Sequence, residues 1–143
     1  MVSGYLIDTN VIAELRKGDR SDPNVRRWFA QHIADELWIS VLVVGELRRG
    51  VEGIRRRDEP AADSVDRWLT SILRDFGDRI LPITAPIADC WGRINAPNPL
   101  PAIDGFLAAT AIEHDLTLAT HNTAAVVASG CRLVDPFAPP PAA

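Results

Sequence analysis

Apolar residues along this chain alternate between short unbroken runs and longer stretches with helical spacing. Tyr5 to Ile7 is one such run, compatible with a buried strand, and it stops at the polar Asp8-Thr9-Asn10, which can open a helix. Val11, Ile12 and Leu15 then recur at helical intervals until Lys17-Gly18 supplies a stop. Asp22-Pro23 predicts a second helix, a cap followed by proline at the first position, whose face of Val25, Trp28, Phe29 and Ile33 is assigned to the core. Leu37 to Ser40 reads as a second strand. Val43, Leu47, Val51 and Ile54 then define a helix that carries Glu46 in its first turns.

The most regular stripe follows, with Val65, Trp68, Leu69, Ile72, Leu73 and Phe76 marking a helix from Ala61 to Phe76. Arg79 to Ile83 is a predicted third strand, Ile87, Trp91 and Ile94 mark another helix, and the proline-rich segment from Ala96 to Pro101 is a stiff loop. That loop feeds a helix with Ile103, Phe106, Leu107 and Ala111 buried, Asp104 in its first turn and Asp115 near its end. Leu116 to Ala119 is a fourth strand, Thr123 to Ser129 a short helix closed by Gly130, and Arg132 to Val134 a fifth strand. From Pro136 onward the chain has little to pack and reads as a loose tail.

Short apolar strands alternating with amphipathic helices imply an α/β fold, a parallel sheet covered on both faces. In such sheets a ligand crevice opens at the carboxyl ends of the strands. The places to search are therefore Asp8, the start of the Glu46 helix, Asp104, and Thr120-His121-Asn122.

Composition narrows the chemistry. With 143 residues and 47% hydrophobic content, one domain with its own core is expected. No apolar run approaches the roughly 20 residues of a membrane span, and no export signal opens the sequence, so a cytoplasmic location is expected. Cys90 and Cys131 lie far apart and read as reduced, packed thiols, while His32, His114 and His121 are scattered, which argues against a zinc site. The single lysine, Lys17, lacks a glycine-rich loop, excluding a Walker-type phosphate cradle. A net charge of -4 argues against nonspecific coating of nucleic acid, yet Arg48, Arg49, Arg55, Arg56 and Arg57 concentrate positive charge locally. Arg48 and Arg49 lie on the Glu46 helix and read equally well as a solvated helix end or as contacts for RNA or a protein partner.

Asp8, Glu46 and Asp104 can converge in the crevice although they are distant in sequence. Three carboxylates in one crevice repel one another, which raises their pKa values or demands a cation, and an all-oxygen set suits magnesium, with manganese as a substitute. Such a site is compatible with phosphodiester hydrolysis. Each acid also has a purely local use: Asp8 as a helix cap, Glu46 as a partner of Arg49, and Asp104 at the positive end of its helix. An aspartyl phosphatase is a rival, but Asn10 stands where its second acid belongs and Lys17 is poorly placed for a phosphoryl group.

Leu6-Ile7-Asp8-Thr9-Asn10-Val11, Val44-Gly45-Glu46-Leu47-Arg48-Arg49-Gly50, the segment from Ile103 to Ala111, and Leu118-Ala119-Thr120-His121-Asn122 resemble the successive motifs of the PIN-domain family. The likeness runs on to Leu133-Val134-Asp135-Pro136-Phe137 and is greatest to VapC-type and FitB-type toxins. It implies a three-layer, Rossmann-like domain over residues 1–137 with a five-stranded parallel sheet, followed by a flexible Pro/Ala-rich tail over 138–143. It further implies a magnesium-dependent endoribonuclease that forms homodimers and is inhibited by a small VapB-type antitoxin. By motif match Asp8, Glu46 and Asp104 are the metal-binding, catalytic acids, with Thr9, Asn10, Thr120 and Asn122 as polar supports. Many relatives carry a fourth acid shortly after the Thr-x-Asn motif, where this chain has Thr123-Ala124-Ala125-Val126. That gap leaves open a degenerate module that binds RNA or a partner without cleavage. Asn122 is expected to fill it in part by orienting water.

Overall fold

The computed structural model describes residues 4–141. Five short strands, β1 (Tyr5–Ile7), β2 (Leu37–Ser40), β3 (Ile80–Leu81), β4 (Thr117–Ala119) and β5 (Leu133–Val134), form one sheet in the order β3-β2-β1-β4-β5. Every pairing is parallel, with Leu6 opposite Trp38 on one side and Leu118 on the other. Leu6, Ile7, Ile39 and Leu118 are essentially inaccessible to solvent, as strands covered on both faces require.

Among the described residues seven α-helices connect the strands: α1 (Thr9–Glu14), α2 (Pro23–Ala30), α3 (Val41–Arg55), α4 (Glu59–Phe76), α5 (Ala85–Asn95), α6 (Ala102–Glu113) and α7 (Thr123–Val126). α3 packs on α1 and α4, whereas α6 packs on α5 and α7. This grouping follows from right-handed crossovers: the chain walks from β1 to β3 in one direction, then returns to β4 on the other side of β1. β1 and β4 are thus the neighbours between which the direction of winding reverses, the place where an open α/β sheet splays its loops apart.

Most boundaries match the sequence pattern, and the departures have local causes. Ile33, which the helical spacing places in the core, is 64% exposed, because α2 ends at Ala30 and that spacing no longer applies beyond it. The third strand shrinks from Arg79–Ile83 to two residues, since Gly77–Arg79 forms a 3-10 turn and Arg79 spends its guanidinium on the Leu37 and Asp75 carbonyls. The segment from Thr123 splits into α7 and a 3-10 turn, closed by Gly130 at φ 79°, as the left-handed cap expects. The tail begins later than Pro136: Pro136 is buried, and Phe137 packs on the core while its carbonyl accepts from Asn24 Nδ2 at 2.9 Å. Ala138 to Pro141 are exposed, and residues 1–3 and 142–143 of the expected domain and tail lie outside the described residues.

A second, smaller cluster of Ile87, Cys90 and Ala109 with Trp91 and Phe106 joins α5 to α6. Trp91 and Phe106 stack at 4.7 Å with ring planes 4° apart. Gly105 makes this possible, because a Cβ there would sit 3.0 Å from Trp91 Nε1. Cys90 and Cys131 are unpaired, and burial pushes both thiols up, consistent with packed thiols. Among the described residues no helix is long and apolar enough to cross a membrane.

Candidate active site

Asp8 stands immediately after β1, where its N–H donates to the Ala119 carbonyl of β4 at 2.9 Å. This strand contact brings Thr120, the residue after β4, against it. Thr120 Oγ1 donates to Asp8 Oδ2 at 2.7 Å, Asn10 Nδ2 approaches the same oxygen at 3.3 Å, and the Thr9 N–H donates to Oδ1 at 2.6 Å. Asp8 is thus the cap of α1, and more than a cap: it is 5% exposed and held by a hydroxyl 112 residues away in the chain.

Glu46, in the second turn of α3, is tied to the same corner by Thr9, whose Oγ1 donates to Glu46 Oε1 at 2.5 Å. Asp104 sits in the first turn of α6, at the positive end of that helix, and among the described residues no donor occupies its carboxylate. A cleft of about 550 Å³ is lined by Asp8, Thr9, Asn10, Glu46, Asp104 and Asn122, with Pro101 to Ile103 forming its apolar edge. The three acids meet in this cleft as expected from the strand ends. Thr9, Asn10 and Thr120 each hydrogen-bond one of these carboxylates, and Asn122 lines the cleft without capping α7 through its side chain.

The acids sense one another's charge. Burial raises the Asp8 carboxyl above its ordinary range and Glu46 adds to that, against the lowering effect of Thr120, Thr9 and Asn10. Asp104 is likewise raised by burial, then by Asp8 and by Glu46. The only cation paired with any of the three, among the described residues, is Arg49, whose Nη2 lies 3.8 Å from Glu46 Oε2 and whose side chain is 80% exposed. Among the described residues no three acidic, histidine or cysteine side chains close into a ready-made metal cage. The donor set nonetheless fits a hard, hydrated cation, because magnesium binds through one or two carboxylates and keeps several waters. Excess negative charge in a desolvated cleft is the condition such an ion relieves.

Arg48 and Arg49 have different places despite their adjacency. Arg48 lies on the seam between α3 and α4, bonded to Asp66 at 2.9 Å and Glu52 at 3.3 Å, in a network that Arg55 extends to Asp63. Only Arg49 stands beside the cleft. The sequence pattern points to the Thr120-His121-Asn122 segment but not to the partner of its histidine: His121 Nδ1 lies 3.2 Å and 3.3 Å from the two carboxylate oxygens of Asp135. The available signal was that Asp135 follows a strand directly, as Asp8 does.

A fold of this topology with three carboxylates gathered at the reversal of winding defines a PIN domain, and the PIN domain family model matches residues 5–128; the chain belongs to that family. It is 34% identical over 139 residues to the protein named Toxin FitB of Neisseria gonorrhoeae, covering 92% of this chain and 97% of that one. It is 27% identical to VapC ribonuclease Y4jK of Sinorhizobium fredii, covering 94% and 98% of the two chains. The crystal structure of FitAcB from Neisseria gonorrhoeae superposes with a TM-score of 0.86 at 32% identity, over 93% of this chain and 98% of that one.

Proposed function

We propose that this chain is a magnesium-dependent endoribonuclease, the toxin of a toxin–antitoxin pair, which hydrolyses RNA phosphodiester bonds by water attack. The observation that carries the reading is the shared cleft of Asp8, Glu46 and Asp104, three acids from three separate elements, with Arg49 the one cation paired with any of them among the described residues. Relatives named as a toxin and as a ribonuclease lend it support. On the same grounds the protein acts in the cytoplasm, as a homodimer neutralised by a small VapB-type antitoxin.

Asp8 and Asp104 would hold the ion, with Glu46 completing its surroundings. When bound, magnesium supplies Lewis acidity toward water and positive charge toward the phosphoryl oxygens. The chain's own contribution is orientation. Thr120 Oγ1 and the Thr9 N–H fix both oxygens of Asp8, while Thr9 Oγ1 fixes Glu46, so the acids need little rearrangement on binding. The open carboxylate of Asp104 is free to accept a proton or a cation, and Asn122 offers an amide for a water in the cleft. Pro101, Ala102 and Ile103 give one edge of the cleft an apolar lining.

Ala125, at the place of the fourth acid, and the lack of a closed three-ligand cage among the described residues favour a second reading, a module that binds RNA without cutting it. Incubating purified protein with end-labelled RNA, with magnesium or with a chelator, separates the two. Magnesium-dependent fragments that vanish in Asp8→Asn and Asp104→Asn support the nuclease; intact RNA at stoichiometric protein supports the module.

A further inference from the structure

We propose that His121, fixed by Asp135, accepts a hydrogen bond from a ribose 2′-hydroxyl of the bound strand and so makes the cleft prefer RNA to DNA. This deepens the nuclease reading and rests on it for the placement of the strand. His121 lies between two parts of the site: Thr120 before it donates to Asp8, and Asn122 after it lines the cleft. Its own N–H donates to Asn10 Oδ1 at 3.3 Å, and Asn10 lines the cleft as well. The imidazole itself points out, 60% exposed.

The ring's orientation is set from below. Asp135 Oδ1 accepts from the Phe137 N–H at 2.9 Å, which holds the carboxylate, and the Phe137 ring lies 4.5 Å from the imidazole at a tilt of 46°. A carboxylate can only accept, so the ring nitrogen it faces, Nδ1, carries the hydrogen. In the neutral imidazole that leaves a lone pair on Nε2. Among the described residues nothing on the chain uses Nε2. An outward-facing acceptor in a fixed tautomer, one residue from the cleft-lining Asn122 and tied through its backbone to the cleft-lining Asn10, matches the donor that ribose has and deoxyribose lacks. Asp135 is then a positioning residue, and His121 the one that touches substrate.

The test is binding of a fluorescein-labelled twelve-nucleotide oligouridine and its 2′-deoxy and 2′-O-methyl counterparts, with calcium replacing magnesium and gels confirming intact strands. The wild type is expected to bind the ribose form about 5-fold more tightly than either counterpart, the scale of one hydrogen bond. The methyl ether groups with DNA because it cannot donate. His121→Ala should lose that preference by weakening RNA binding alone, and Asp135→Asn should reduce it with His121 still present. A merely structural role would weaken all three ligands together; that outcome, or an unchanged preference in His121→Ala, overturns the proposal. Loss of preference in a protein that never cleaves RNA with magnesium would uphold His121 and reject the nuclease.

Discussion

Replacing Asp8 with asparagine separates what the carboxylate does for the fold from what it does for chemistry. The side chain is 5% exposed and receives three hydrogen bonds, two of them short, from Thr9 and Thr120. An amide retains the first through its oxygen, and the Thr120 hydroxyl can turn to accept from its nitrogen. The losses are charge assistance on those two bonds, about 1 kcal/mol each, and the longer Asn10 contact, whose amide donor then faces the amide nitrogen. Against that loss stands relief of a buried charge that Glu46 also repels, and burial outweighs the hydrogen bonds in setting the carboxyl's raised pKa. The two effects offset, so metal-free Asp8→Asn should keep its stability within about 1 kcal/mol, a change of about 4 °C in Tm for a domain of this size. Cleavage of RNA should nevertheless fall by about 10²-fold or more, the scale of losing one preorganised electrostatic group. Thermal melts in chelator and a gel-based cleavage assay measure both. A variant that unfolds many degrees earlier, or one that cleaves at the wild-type rate, would refute the reasoning.

Further outcomes follow from the same geometry. Asp8 and Asp104 have raised folded pKa values, so the folded protein holds protons that the unfolded chain releases, and metal-free stability should fall as pH rises through the window above the ordinary carboxylate value of about 4. Magnesium should therefore raise Tm above that window and have no effect below it; an equal increment at both pH values would contradict the shared site. Thr120→Val should destabilise the protein by roughly 1–3 kcal/mol in urea titrations, because it leaves the buried Asp8 Oδ2 with only the 3.3 Å contact from Asn10 and removes the acceptor of the Asn122 N–H. Arg49→Ala should weaken RNA binding and flatten its salt dependence by about 0.7 in log–log slope, while Arg48→Ala, already engaged with Asp66, should leave both unchanged. Ala125→Asp should tighten manganese binding in a calorimetric titration, and equal affinities would remove any role for the missing acid.

Much of the site was legible in the sequence because its carboxylates sit at pattern boundaries. Asp8 ends an apolar run, Glu46 rides a clear helical stripe, and Asp104 follows a proline-stiffened loop into a helix. What periodicity cannot express is pairing between elements. Arg48 looked available on its own helix, but its partner Asp66 is eighteen residues away on α4. The Asp135 carboxylate beneath His121 comes from the end of β5, a neighbour only because β4 and β5 pair in the sheet. Ile33 shows the converse error, a stripe extended past the point where the helix stops. Pro136 was misjudged because burial of a single residue after a strand leaves no periodic trace.

That three carboxylates serve one divalent cation is tested most directly by manganese titration followed by electron paramagnetic resonance. Wild type, Asp8→Asn, Glu46→Gln and Asp104→Asn would be compared. A common site predicts one bound ion per chain in the wild type and weaker binding in each of the three variants. Unchanged affinity in all three, or no bound ion in the wild type, would contradict the account.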